Sequence, residues 1–339
     1  MKQRHVNIPV FIPHVGCPNA CVFCNQRSIS GTVEFNPCEV EGIISEALTT
    51  VGENDTCEIA FFGGSFTGID RELMLYLLGV AQKYIDDGRV QSIRLSTRPD
   101  YINDEIIGDL KKFGVRTVEL GLQSLDDKVL TASGRGHDAE CARIACKKVK
   151  DAGFELIGQM MIGLPDSTTQ TEIYTAKEIA RLGADGARVY PTVVFYDTEL
   201  ACMTERREYT PITNEQAVER TKEVLDVFDK AGVPCIRVGL CASENLADDS
   251  KVMGGANHSA IGEMAMSALY FDRICAQIDK HGYCGGELTV YVAKGNVSKA
   301  IGQKKSNKEK ICQKYGFKKI KVLEKNQILG YNIILEHNI

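Results

Sequence analysis

Three cysteines stand at a spacing that can do chemistry: Cys17, Cys21 and Cys24, in Gly16-Cys17-Pro18-Asn19-Ala20-Cys21-Val22-Phe23-Cys24-Asn25. Three thiolates can hold three irons of a 4Fe–4S cluster, which ordinarily takes four cysteines. A missing fourth ligand leaves one iron open, much as catalytic zinc sites keep one coordination position free. Structural zinc, or cysteines that bind nothing, are the competing readings. Structural zinc takes four ligands, commonly as two pairs, and no second pair follows at finger spacing. The chain has 13 cysteines, an odd number that cannot pair completely within one chain. Others, such as Cys141, Cys146 and Cys275, fall in helical-looking stretches and read as small buried hydrophobes.

Further along lies Phe61-Phe62-Gly63-Gly64-Ser65-Phe66-Thr67, where paired glycines after a strand let a ligand approach the backbone. Three more stretches stand out: Leu95-Ser96-Thr97-Arg98-Pro99-Asp100-Tyr101, Glu119-Leu120-Gly121-Leu122-Gln123-Ser124 and Gly134-Arg135-Gly136-His137. With the cysteine spacing and the aromatic Phe23 before its last member, the chain resembles the radical SAM superfamily, and within it the radical domain of the Elongator catalytic subunit. The resemblance continues through Gly158-Gln159-Met160-Met161-Ile162-Gly163-Leu164-Pro165 and Arg188-Val189-Tyr190-Pro191-Thr192, covering roughly residues 7–240.

That resemblance implies a 4Fe–4S cluster on Cys17, Cys21 and Cys24 whose open iron chelates S-adenosyl-L-methionine. One electron then breaks the sulfonium C–S bond and frees a 5′-deoxyadenosyl radical, chemistry no side chain supplies. It also implies an external electron donor of flavodoxin or ferredoxin type, and contact of Gly63 and Gly64 with the methionine portion. A more distant resemblance, to the oxygen-independent coproporphyrinogen dehydrogenases, assigns cofactor contacts to Gln123 and Arg135, which keep that family's spacing. An arginine fork suits the methionine carboxylate. Two cofactor positions depart from that relative: a ribose-binding carboxylate is Ser96 here, and an Asp after the fifth strand is Gln159. Arg98 and Asp100 read equally as a surface ion pair, and His137 as a capping or solvent residue.

The elements that must position these groups alternate. Strand candidates at 7–12, 57–62, 92–97, 116–121, 155–161 and 187–193 are separated by amphipathic helical patterns at 37–51, 71–86, 104–113, 139–152, 169–182 and 214–231. Repeated strand–helix alternation predicts a parallel sheet with crossover helices. The fold class is α/β: a partial (β/α)6 TIM-like barrel, with a seventh strand candidate at 235–240. Loops at the carboxyl ends of barrel strands form the active face, and the cysteines directly follow the first strand. Three units are expected: the barrel over 1–240, a helical connection over 241–286, and a small α+β domain over 287–339.

The chain carries a net charge of −5 over 339 residues. Between Lys294 and Lys325 eleven lysines face only Glu309 and Glu324, a local +9, so the rest of the chain sums to −14. A basic unit on an acidic body points to a polyanionic partner for the tail. There, Val297-Ser298-Lys299-Ala300-Ile301-Gly302-Gln303-Lys304-Lys305-Ser306-Asn307 resembles the helix–loop–helix heart of a KH domain. In that family a Gly-x-x-Gly loop clamps a nucleotide backbone; here Gly302 is kept and Lys305 replaces the second glycine. Lys304 and Lys305 can still pair with phosphates. A lysine-rich solvated surface is the plain alternative.

Together these features predict a radical SAM enzyme that modifies tRNA or another RNA. The Elongator subunit joins its radical domain to an acetyltransferase domain, and nothing of that kind follows Leu240, so its carboxymethyl-type product does not carry over. The alternatives are radical chemistry on a small molecule such as a tetrapyrrole or peptide, and a non-enzymatic iron–sulfur protein that binds RNA or senses redox state. Tyr190, Cys202 and Cys241 could donate a hydrogen atom to a product radical, but each reads equally as core or surface. No stretch reaches membrane-spanning length and no leader is evident, so the expected compartment is the cytoplasm.

Overall fold

Strand β1 (His5–Ile12) buries Ile8, Val10 and Ile12 and exposes the residues between them, a period of two. It is the edge of a sheet continued by β2 (Thr56–Gly63), β3 (Ser92–Thr97), β4 (Val115–Gln123), β5 (Glu155–Ile162), β6 (Gly186–Pro191) and β8 (Cys235–Val238). All neighbours pair in parallel, so the sheet curls into a partial barrel. The seventh candidate strand thus extends the sheet beyond its first six. The computed structural model describes residues 4–12, 17, 21–24, 35–52, 54–240 and 250–338. Gly16, Pro18, Asn19, Ala20 and Asn25 of the cysteine segment, and Cys241, lie outside the described residues.

Helices on the outer face return the chain to the start of each next strand: α1 (Val40–Leu48), α2 (Arg71–Asp86), α3 (Asp104–Leu110), α4 (Asp127–Ala132), α5 (Ala139–Asp151), α6 (Thr169–Arg181), α7 (Glu199–Glu205) and α8 (Asn214–Lys230). Most open on a side chain that accepts an otherwise orphaned backbone N–H. Asp70, Asn103, Asp126, Asp138, Thr168, Thr198 and Thr213 do this, the threonines at 168 and 213 within full capping boxes. Their inward stripes and the outward strand residues form one apolar core, which includes Ile59, Phe61, Leu77, Ile93, Val118, Leu156 and Phe228.

The candidate strand at 187–193 is two elements. It leaves the barrel sheet after Pro191, and β7 (Val193–Phe195) pairs antiparallel with β9 (Val252–Gly255). Gly255 makes that pairing possible: its φ is 94°, and a Cβ there would sit 2.5 Å from the Thr192 carbonyl oxygen.

The C-terminal unit has β10 (Glu287–Val292) at the centre, parallel to β11 (Lys319–Glu324) and antiparallel to β12 (Ile333–Asn338). Helices α10 (Val297–Ile301) and α11 (Ser306–Tyr315) connect β10 to β11. Helix α9 (Ile261–His281), expected as a connection, supplies Tyr270, Ile274 and Ile278 to this unit's core beside Leu288, Val290, Val292 and Ile311. Its other face packs Ala265 and Leu269 against Leu225 of α8. One helix therefore ties the unit to the barrel.

Candidate functional site

The cysteine segment is fixed at the carboxyl end of the barrel by backbone bonds on both sides. Val22 donates its N–H to the Ser133 carbonyl at 3.1 Å, and Leu200 donates to the Val22 carbonyl at 2.7 Å. Val22 and Phe23 pack on the cluster of Val194, Leu200, Ala201 and Tyr209, which gives the aromatic before Cys24 a packing role. Cys24 N–H closes a turn onto the Cys21 carbonyl at 2.9 Å. Cys21 is buried, while Cys17 and Cys24 are half-buried. The Cys17 sulfur lies 3.9 Å from Ser65 Oγ, beyond the paired glycines of β2. Among the described residues no three His, Cys, Asp or Glu side chains form a ready-made metal cage. The three cysteines share one end of the barrel without closing on a common point.

Two arginines reach the Cys21 sulfur. Arg135 Nη1 donates to it at 3.3 Å and Arg98 Nη1 at 3.8 Å. Arg135 is held by donation to the Gly121 carbonyl at 2.5 Å. A Cβ on Gly121 would lie 3.1 Å from Gln123 Nε2 and 3.5 Å from Arg135 Nη2, so the missing side chain makes room for the guanidinium. Arg98 is no surface residue. It is buried, grips Asp100 through two bonds of 2.9 and 2.8 Å, and donates to the Arg135 carbonyl. That ion pair raises the Arg98 pKa even though burial works against it.

Gln123 ends β4 at φ 66°, a left-handed conformation that costs a non-glycine residue of order 1 kcal/mol, and a register shift accompanies it. Its Oε1 is buried without a partner, as are Arg135 Nε and His137 Nε2. Such orphans are rare in folded proteins and point to an absent partner. Gly63, at φ 113°, would place a Cβ 2.9 Å from the Ile12 carbonyl oxygen, and Gly64 N–H donates to that same oxygen. Gln159 Nε2 donates to Glu119 Oε2 at 2.7 Å and reaches Ser96 Oγ at 3.4 Å. His137 does not cap α5; Asp138 does. Burial, with the Arg135 charge, holds the His137 imidazole below its usual pKa.

The sequence reading missed a ladder of charges on the inner face of the sheet. Arg94 donates to Glu58 at 3.0 Å and to Glu119 at 2.9 Å, and Arg188 meets Glu119 at 2.8 Å. Each of the four is a charge set within an otherwise largely apolar strand candidate, and that pattern was the available signal.

In the C-terminal unit, Gly302 has φ 81°, and a Cβ there would meet Ser306 Oγ at 2.7 Å. Lys304 (φ 50°) and Lys305 (φ 67°) are both exposed and left-handed. Lys305 therefore adopts a conformation that glycine would adopt freely. Buried Asn307 braces the loop, donating to the carbonyls of Ser267 and Ala300.

Residues 11–179 match the sequence model of the radical SAM superfamily, and residues 184–270 match that of the radical SAM C-terminal domain. The chain is 28% identical over 244 residues to a tRNA uridine(34) acetyltransferase of Methanocaldococcus infernus, covering 60% of this chain and 46% of that protein. It is 26% identical over 254 residues to Elongator complex protein 3 of Saccharomyces cerevisiae, 63% of this chain and 46% of that one. The heme chaperone HemW of Bacillus subtilis is 23% identical over 304 residues, 86% and 73% of the two chains. The chain spans about half the length of the first two. Among solved structures, Elp3 of Methanocaldococcus infernus superposes with a TM-score of 0.61 at 21% identity, over 83% of this chain and 64% of that one. That likeness shows the partial-barrel fold.

Proposed function

The chain belongs to the radical SAM superfamily, and from that premise we propose that it cleaves S-adenosyl-L-methionine reductively in order to modify a tRNA. The observation that carries the cofactor half is the Cys21 sulfur facing two guanidiniums, next to the buried unpartnered atoms of Gln123 and Arg135. Three thiols from one short segment suit a cluster with one open iron, and positive charge beside them offsets an anionic group. Cys17, Cys21 and Cys24 would hold the 4Fe–4S cluster. When bound, the cluster and S-adenosyl-L-methionine supply one-electron cleavage of the sulfonium and the radical that results.

The chain's own residues do the remaining work. Arg135, fixed by the Gly121 carbonyl, stands ready to orient a carboxylate. The tight Gly63–Gly64 turn offers backbone without a Cβ in the way. Ser96 and Gln159 would offer the cofactor neutral hydrogen-bonding groups, and Gln123 Oε1 has an acceptor free for it.

The tRNA half rests on the tRNA-acting relatives and on the lysine-rich C-terminal unit with its Gly302, Lys304 and Lys305 loop. An electron donor of flavodoxin or ferredoxin type would complete the system. No helix among the described residues is long and apolar enough to cross a membrane.

The test has two arms. Protein reconstituted anaerobically with iron and sulfide, then reduced in the presence of S-adenosyl-L-methionine, is expected to form 5′-deoxyadenosine; the Cys17→Ala, Cys21→Ala, Cys24→Ala triple variant is expected to form none. Nucleoside mass spectrometry of tRNA from a strain lacking the protein is expected to show a missing modification. Cleavage without RNA binding, combined with an unchanged tRNA nucleoside profile, would sink the tRNA reading.

A further inference from the structure

We propose that Arg98, held by Asp100, is a positioning residue that sets the reduction potential of the cluster on Cys17, Cys21 and Cys24, by keeping a positive charge against the Cys21 sulfur. The proposal rests on the cluster reading above and goes beyond it, since it gives a task to a residue outside the cysteines and the cofactor contacts.

Arg98 leads from β3 into the turn at Pro99–Tyr101, and only 3% of it is exposed. Every side of its fork is engaged. Nε and Nη2 donate to the two Asp100 oxygens, Nη2 also donates to the Arg135 carbonyl at 2.5 Å, and Nη1 reaches the Cys21 sulfur at 3.8 Å. Arg135 Nη1 approaches the same sulfur at 3.3 Å. The Ser133 carbonyl, two residues before Arg135, accepts the Val22 N–H of the cysteine segment. Arg98 and that segment are thus both bonded to one backbone turn, and two guanidiniums converge on one sulfur.

Stability does not explain this placement. A buried ion pair is often no more stabilising than apolar packing, and a neutral thiol is a weak acceptor that rewards two cations little. A thiolate that ligates a cluster rewards both with charge-assisted bonds. Two guanidiniums against the single Asp100 carboxylate leave one net positive charge beside Cys21, and the carboxylate is the partner that reaches water, its side chain 25% exposed. Cys17, by contrast, has the neutral Ser65 hydroxyl at 3.9 Å. Reduction adds one electron, and so one negative charge, to the cluster and its thiolates; an external donor of flavodoxin or ferredoxin type supplies it. Positive charge and hydrogen bonds at a ligand sulfur stabilise the reduced state and raise the potential.

Potentiometric titration of the reconstituted full chain, without S-adenosyl-L-methionine and followed by the EPR signal of the reduced cluster, reads that potential. Arg98→Gln leaves Asp100 unopposed. It is expected to lower the reduced-to-oxidised ratio at a fixed ambient potential on the order of tenfold, a fall of about 59 mV for one electron. Asp100→Asn leaves the guanidinium unopposed and is expected to raise the potential. The double variant is expected to fall between the two. Opposite signs at two bonded residues report charge, which loss of a purely structural clamp would not produce. Thermal melts with iron and sulfide contents show that each variant is folded and loaded. Shifts of the same sign, or none, overturn the proposal. Where Arg98→Gln retains no cluster, an unchanged or lowered potential in Asp100→Asn overturns it alone. A natural chain without a reducible cluster fails the function above and this proposal with it, whereas the wrong shifts in loaded variants fail this proposal only.

Discussion

At the scale of single residues, the site is distinguished by polar atoms that are buried and incompletely satisfied. His137 shows the consequence most directly. Its Nε2 is buried without a partner, and its pKa is lowered by burial first and by the Arg135 charge second. As pH falls through the ordinary imidazole range near 6.5, the unfolded chain takes up the proton before the folded one. Stability is therefore complete above that range, declines as pH falls below it, and levels off once the folded state also protonates. Urea midpoints measured at about pH 7.5 and 5.5 should fall more for the natural chain than for His137→Asn, after allowance for the carboxylates common to both. Equal slopes would show that the imidazole titrates as it does in water.

Among the elements, parallel strands and helices were legible because their periods differ and most outer helices open on a side-chain cap. The candidate helix at 71–86 matches α2 residue for residue, and that at 214–231 stops one residue beyond α8. Cys17, Cys21, Gly63, Gln123 and Arg135 stood out by residue type, spacing and the family resemblance, and the structure gathers them at one end of the barrel. The split after Pro191 was hidden. An apolar run gives no sign of changing partners, and β9 is Val-Met-Gly-Gly, too short and too rich in glycine to show a strand's alternation. The burial of Arg98 was hidden too, since its partners Cys21 and Arg135 are 77 and 37 residues away.

Two glycines separate the demands of site and scaffold. Gly63→Ala would force a Cβ to 2.9 Å from the Ile12 carbonyl oxygen at φ 113°, at a cost of roughly 1–3 kcal/mol. Gly79 sits inside α2 with open space where its Cβ would be. Gly79→Ala should therefore stabilise by about 0.5–1 kcal/mol through helix propensity. Denaturant midpoints of the two variants should move in opposite directions; a stable Gly63→Ala would mean the turn after β2 can rearrange.

Across the whole molecule, charge and rigidity are arranged together. The +9 segment belongs to a small unit on a body summing to −14, and the mount is firm. Asp229 of α8 accepts from Arg273 Nη1 at 2.7 Å and from the Tyr331 N–H at 3.2 Å, while Tyr270 OH donates to the Gly330 carbonyl at 3.2 Å. The Lys304–Lys305 loop therefore keeps a fixed place relative to the barrel mouth, as a phosphate-binding edge must if it is to set how far a bound RNA reaches into the site. Each phosphate contact contributes about 0.7–0.9 to the slope of log affinity against log salt. Replacing Lys304 and Lys305 together with alanine should lower the slope for tRNA by roughly 1.5 and weaken binding similarly across tRNA sequences. An unaltered salt slope would move the RNA edge to other lysines between Lys294 and Lys325. A loss of affinity that differs between tRNA sequences would mean that the loop reads bases as well as holding the backbone.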